Sequence, residues 1–199
     1  MWNHNTHFHN YLLRQLPIKV NHALDVGCGL GLFAYKLAGR ANGVHALDVN
    51  GTVLSEAASC HTAPNIHYLH TDFLEADLPA AAYDVIVSIA SLHHMDLETA
   101  LEKMRALLRP SGTLLILGLY REATVADYLY SAISVPINRI CLIRHQSSRS
   151  TSAIVAPTCP ATLSLRQIKT VASTVLPGFS LKRHLFWRYS LIWHKSINS

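Results

Sequence analysis

Asp25-Val26-Gly27-Cys28-Gly29-Leu30-Gly31 joins an apolar run, Ala23-Leu24-Asp25-Val26, to a segment in which Leu32, Phe33 and Leu37 recur at helical spacing. A strand that runs into glycines and then a helix reads as a ligand-binding turn of an open α/β sheet. Glycine lets the backbone bend sharply and approach a ligand with no Cβ in the way. The spacing separates two ligand classes. A dinucleotide turn has the form G-x-G-x-x-G, which needs glycine at position 32, where Leu32 stands. The third glycine is instead Gly31, and Asp25 precedes the loop. A carboxylate there is unfavourable beside a pyrophosphate and suits a cationic ligand.

Working outward, two more acids close strand-like runs. Asp48 ends Val44-His45-Ala46-Leu47-Asp48, and its carboxylate is placed to accept from ribose hydroxyls. Asp72 follows Ile66-His67-Tyr68-Leu69-His70, with Phe73 beside it. An acid can accept from an adenine amino group, and an aromatic neighbour can cover the ring. Singly, each acid reads equally well as a helix cap or a solvated loop residue. Three of them at strand ends, in register with the glycine turn, mark one edge.

The remaining pattern alternates in the same way. Helices are predicted over 10–16, 31–39, 51–60, 97–108 and 163–176, with 123–143 mostly helical and 145–160 a loop. Residues 83–89 and 113–119 are nearly continuous apolar strands, the signature of strands covered on both faces. Residues 179–185 and 189–194 read as an antiparallel hairpin. The order predicts an α/β, doubly wound Rossmann-like sheet in a single domain over 1–199. Asn50-Gly51 is expected to loosen the start of the 51–60 helix.

Of the 199 residues, half are apolar and 15% charged, which is ample for a packed core and excludes a wholly disordered chain. Residues 1–127 carry 8 basic and 12 acidic residues, whereas residues 128–199 carry 9 basic and none acidic. That asymmetry can mark an anionic partner such as nucleic acid. The plainer reading makes Lys182, Arg183, Arg188 and Lys195 outward residues of edge strands. Cys28, Cys60, Cys141 and Cys159 form no C-x-x-C pair, which argues against a zinc site or disulfide framework. No apolar run is long enough to span a membrane, and the N-terminus lacks a signal-like pattern. A cytoplasmic protein without membrane contact is the expectation.

These stretches together resemble the class I S-adenosylmethionine-dependent methyltransferases. "ALDVGCGLG" resembles the family's cofactor loop, "ALDVN" its ribose acid and "TDF" its adenine edge. "YDVIVSIASLHHM" resembles its fourth strand and active-site lip, and "LRPSGTLLILGL" its fifth strand. The resemblance implies seven strands in the order 3-2-1-4-5-7-6 with strand 7 antiparallel. S-adenosylmethionine is the implied cofactor. Asp25, Gly27, Cys28 and Gly29 would border its methionine part, Asp48 would hold the ribose with Val49 under the adenine, and Asp72 and Phe73 would flank the adenine. Ser88 and Ile89 would lie along it. Residues 1–20 would form a lid and 120–165 the substrate-side wall.

The implied reaction is methyl transfer to a small-molecule acceptor. No RNA- or DNA-reading module is appended, which disfavours nucleic acid as the partner. A monomer or homodimer is expected. His93 and His94 are candidate general bases, or else they cap the next helix or fill a polar niche. His4, His7 and His9 offer three readings: a metal site, a lid touching substrate, or packing with Trp2, Phe8 and Tyr11. No resident metal is expected. Tyr120 and Tyr128 could meet the acceptor. The alternatives are a nicotinamide-dependent reductase, an RNA methyltransferase using the basic C-terminal third, and a catalytically silent binding protein.

Overall fold

The computed structural model describes residues 4–124, 127–130, 132, 134–135 and 160–197. Its seven strands are β1 Val20–Val26, β2 Ala41–Asp48, β3 Ile66–His70, β4 Tyr83–Ile89, β5 Leu108–Leu119, β6 Ser180–His184 and β7 Arg188–His194. They form one sheet in the order β3-β2-β1-β4-β5-β7-β6. β7 runs antiparallel to both β5 and β6, and the other neighbours are parallel. This is the order and strand sense that the resemblance implied. The labelled helices are α1 His9–Leu13, α2 Leu32–Ala38, α3 Gly51–Cys60, α4 Leu97–Leu107 and α5 Leu165–Val175.

The central strands are apolar throughout because each serves two cores. Successive side chains of a strand point to opposite faces. Ala23, Val85, Val87, Leu115 and Leu117 pack with Phe8, Leu12, Phe33 and Leu37 on the α1–α2 side. Leu24, Val26, Ile86, Leu114 and Ile116 pack with Leu101, Met104, Ile168 and Ala172 on the α4–α5 side. A polar residue on either face would be stranded between sheet and helix.

Asn50 does the opposite of what its sequence context suggested. Its side chain accepts from the Thr52 and Val53 amides, so it caps α3 and fixes its start. Such a cap is worth about 1 kcal/mol. Helix α5 opens with a full capping box between Ser164 and Gln167. Part of the predicted 123–143 helix is seen, with 127–130, 132 and 134–135 helical. Residues 123 and 124 are not helical, and the remainder of the predicted helix, all but the last residue of the predicted 145–160 loop, and Cys141 and Cys159 lie outside the described residues.

The basic residues are not all outward edge residues. β7 lies inside the sheet, between β5 and β6. Arg188 is therefore buried, donating to Asn5 Oδ1 and to the Phe186 carbonyl, and burial lowers its pKa to about 10. Lys195 is drawn inward to the Arg105 and Leu108 carbonyls, and Arg183 pairs with Asp127 at 2.8 Å. Lys182 alone of the four is exposed.

The N-terminal histidines separate. His9 is buried against Phe33, with Lys36 Nζ donating to its Nδ1 at 3.2 Å. Burial first, and Lys36 second, lower its pKa to about 4. His4 and His7 instead pack on Phe186 in the β6–β7 turn, with centroids 4.9 and 5.7 Å apart. Among the described residues, no set of three or more His, Cys, Asp or Glu side chains is grouped to hold a metal. His9 gives the first testable expectation. Its folded pKa lies below the unfolded value of 6.5, so its stabilising contribution is present above 6.5 and lost as pH falls towards 4. That amounts to about 2–3 kcal/mol. Urea melts between pH 4 and 7 should show the loss in the wild type and a smaller one in His9→Gln. Equal slopes would remove His9 as its source.

Candidate functional site

The carboxyl ends of β1, β2 and β4 meet at the glycine turn. The Gly27 and Cys28 amides both donate to the Leu47 carbonyl, at 2.8 and 2.9 Å, which ties the turn to β2. Gly29 N–H donates to Asp48 Oδ2 at 2.9 Å, and Asn50 N–H donates to Asp48 Oδ1 at 2.9 Å. Asp48 is thus aimed by two backbone donors, and each oxygen retains a lone pair to accept from a ligand.

The three glycines exist for different reasons. All have positive φ, +70° at Gly27, +52° at Gly29 and +74° at Gly31. A Cβ on Gly27 would overlap the Ser91 side chain, and one on Gly31 would overlap Tyr68 and touch Ala57 at 3.0 Å. Those two are required by protein packing. A Cβ on Gly29 meets nothing within 4 Å, so it is the one of the three that faces open space.

Ser91 was not legible as a site residue. Its Oγ donates to the Val26 carbonyl at 2.7 Å and lies 2.5 Å from Ser88 Oγ. It braces the ends of β1 and β4 behind the turn. Ser88 is fully buried in that pair, so its hydroxyl is turned to Ser91 rather than along a ligand. The only available signal was the pairing of two serines three residues apart at a strand end. His70 was also missed. Its Nε2 donates to the Val49 carbonyl at 3.0 Å and its ring abuts Gly51, holding the segment after Asp48. Val49 itself is 60% exposed beside Asp48. Ile89 is half-buried at the end of β4.

Asp25 is the unusual group. It is 1% exposed, and its Oδ2 has no hydrogen-bond partner. Burial, then the nearby Asp48 carboxylate, raise its pKa to about 7 against the pull of the Ala34 amide. Among the described residues, no lysine or arginine pairs with either acid. The same burial and the same two acids push the half-buried Cys28 thiol well above its usual range, so it stays protonated. Two carboxyl groups without a cation beside the open Gly29 make a site that a positive charge would stabilise. That is a fit to a ligand with positive charge and hydroxyl donors, and a poor fit to a pyrophosphate.

Other predicted residues fall differently. Phe73 is 1% exposed inside the α4-side core, with Lys103 Nζ 5.4 Å above its ring. It is a core residue rather than a cover for a nucleobase, because its apolar ring is swept under the strand edge while Asp72 stays exposed. Asp72 Oδ1 accepts from the Leu74 amide at 2.7 Å. Tyr120 is 4% exposed and lies under Arg183, which withdraws it from a substrate face. Tyr128 is 60% exposed. His93 and His94 form one 3-10 turn just beyond Ser91, with ring centroids 4.0 Å apart. His94 is exposed. His93 is half-buried and edges a cavity of about 30 Å³ shared with Leu92, Met95, Leu119 and Tyr189.

The glycines give the second expectation. Gly27→Ala should destabilise the fold by about 1–3 kcal/mol of overpacking in addition to the left-handed strain at its φ of +70°, and the second change Ser91→Gly should relieve only the overpacking. Gly29→Ala should cost only about 1–2 kcal/mol of left-handed strain. A Gly27→Ala protein that melts with the wild type would dismiss the Ser91 contact.

Residues 24–116 match a family model described as a methyltransferase domain. An uncharacterized methyltransferase of Mycobacterium tuberculosis is 31% identical over 98% of both chains. A ubiquinone biosynthesis O-methyltransferase of Coxiella burnetii is 29% identical over 62% of this chain and 53% of its own length. The N-methyltransferase NodS of Bradyrhizobium japonicum, in complex with S-adenosyl-L-homocysteine, shares the fold with a TM-score of 0.63 at 19% identity, over 96% of this chain and 86% of NodS.

Proposed function

Because this chain belongs to the S-adenosylmethionine-dependent methyltransferase family, we propose that it transfers a methyl group from that cofactor to a small-molecule acceptor at the carboxyl edge of the sheet. The observation that carries the placement is the trio of open Gly29, backbone-aimed Asp48 and uncompensated Asp25. Asp48 accepts from the ribose hydroxyls. Val49 lies under the adenine, and Asp72 accepts at its edge. Gly29 lets the cofactor approach the backbone, beside Cys28. Asp25 faces the charged end.

When bound, S-adenosylmethionine supplies a sulfonium methyl that is already electrophilic. The protein's task is then alignment and exclusion of water, which can contribute roughly 7–11 kcal/mol. His93 and His94 stand two and three residues past Ser91, and one of them takes the proton where the acceptor is a hydroxyl or a protonated amine. His4 and His7, packed on the β6–β7 turn, form part of the lid, and Tyr128 belongs to the opposite wall of the acceptor pocket. No helix among the described residues is long and apolar enough to cross a membrane. Membership of this family replaces the nicotinamide-dependent reductase alternative.

Calorimetric titration tests the placement. S-adenosylmethionine should bind and NADH should not. Methyl transfer from labelled cofactor to a metabolite extract tests the reaction. Binding of the cofactor with no labelled product from any extract would leave a silent binding protein and remove the catalytic reading.

A further inference from the structure

A second cleft, open to solvent, lies at the β6 edge of the sheet. It has a volume of about 420 Å³ and is lined by Tyr130, Leu165, Arg166, Lys169, Leu181 and Arg183. Three of the six carry positive charge. The acid facing them is Asp127, and it is already committed. Its Oδ2 accepts from the Ala123 and Thr124 amides and from Thr124 Oγ1, while Oδ1 lies 2.8 Å from Arg183 Nη2. Asp127 pairs with Arg183 alone, and among the described residues no carboxylate pairs with Arg166 or Lys169. Residues 128–199 contain no acid to offset them.

The cleft is built rather than incidental in two respects. Arg183 is fixed by Asp127 on one side and by the Tyr120 and Tyr130 rings on the other, at 5.9 and 5.1 Å. Its guanidinium is thereby held in place before any ligand arrives. Arg166 and Lys169 lie three residues apart, on one face of α5 and within its first five residues. The amino end of a helix carries partial positive charge and favours acids. Here it has two cations, and no acidic residue in the first turn. This placement is locally unfavourable in the free protein, and an anion seated between these groups would relieve it.

The position ties the cleft to the chemistry. Arg121 N–H donates to the Leu163 carbonyl at 2.8 Å, and Arg121 bridges Ser164, the cap of α5. Arg121 follows directly after the carboxyl end of β5. The cleft's own strand, β6, runs parallel to β5 and brings Arg183 to the same carboxyl edge, but β4, β5 and β7 separate it from β1 and the glycine turn, about 19 Å at the usual strand spacing. An acceptor must be elongated to carry its anionic end there and its methyl-receiving atom to the glycine turn.

We infer that this cleft binds an anionic group, a phosphate or carboxylate, carried by the methyl acceptor. The inference rests on the methyltransferase reading above and narrows its substrate class to anionic small molecules. Pyrophosphate is the probe. It should bind the wild type at low salt, and the double variant Arg166→Gln/Lys169→Gln should weaken it about 100-fold, roughly tenfold per charged contact. Both residues are exposed, so the variant should fold, and its affinity for S-adenosylmethionine should be unchanged. In the transfer assay, label should enter the fraction of a metabolite extract retained by an anion exchanger, with KM raised in the double variant. No pyrophosphate binding, binding unchanged in the double variant, or label in the unretained fraction would each overturn the inference. So would an RNA oligonucleotide binding through this cleft with a steep salt dependence while pyrophosphate does not. Failure of the cofactor itself to bind would instead strike the methyltransferase reading, a separate measurement.

Discussion

Ligand-free Asp25→Asn should keep its stability between pH 5 and 8, where the wild type loses about 2–3 kcal/mol. Asp25 is a carboxyl whose folded pKa, about 7, lies above its unfolded value of 3.8. Its contribution to stability is therefore complete below about pH 4 and disappears as pH rises through 7. The cause is burial beside Asp48 with an oxygen that no donor reaches. A sulfonium placed there pulls the pKa back down, so cofactor binding near neutral pH should release a proton into the buffer. The wild type should also favour S-adenosylmethionine over S-adenosylhomocysteine, which lacks the sulfonium charge, at pH 8, and Asp25→Asn should lose about tenfold of that preference. Calorimetry in buffers of different ionisation enthalpy reads the proton. A wild type whose stability is flat from pH 5 to 8 would show that Asp25 is not held neutral.

Asp48→Ala should weaken cofactor affinity by about 1.5–3 kcal/mol, the value of hydrogen bonds to a charged group, or roughly 10- to 150-fold. The same change frees the Gly29 and Asn50 amides that the carboxylate holds, so part of the loss reflects a loosened turn. Asp48→Asn separates the two. Its amide oxygen keeps one backbone bond, so the turn stays closer to its native form while one ribose acceptor is lost. Affinity between wild type and Asp48→Ala is the expected result. Wild-type affinity in both variants would take Asp48 out of the site.

The layered α/β sheet was legible in the hydrophobic pattern, and its strand order came from the family resemblance. Residues 83–89 and 113–119 admit no polar face, so they must lie between two layers. Ile66–His70, Gly51–Cys60 and Tyr83–Ile89 form over the spans that their spacing marks. β5 extends further back, to Leu108, through the Arg109–Gly112 turn, because pairing with β4 recruits Leu108 opposite Tyr83. The acids at strand ends were legible for the same reason: an Asp that closes an apolar strand has one edge on which to emerge.

Side-chain direction after a strand was not legible. Asp72 and Phe73 are neighbours, yet one is exposed and the other enters the core. Ser88 reads as an edge hydroxyl until Ser91 folds back beneath it. Arg188 reads as a surface cation until β7 is inserted between β5 and β6. In each case the deciding partner is distant in the chain or held by a turn, and local spacing carries no record of it. The sequence by itself determined the layered sheet and the strand edge on which Asp25, Asp48 and Asp72 gather. Only the tertiary structure decided which glycine is open, which acid lacks a partner and which cations are gathered into one cleft, because those depend on what long-range packing leaves unfilled.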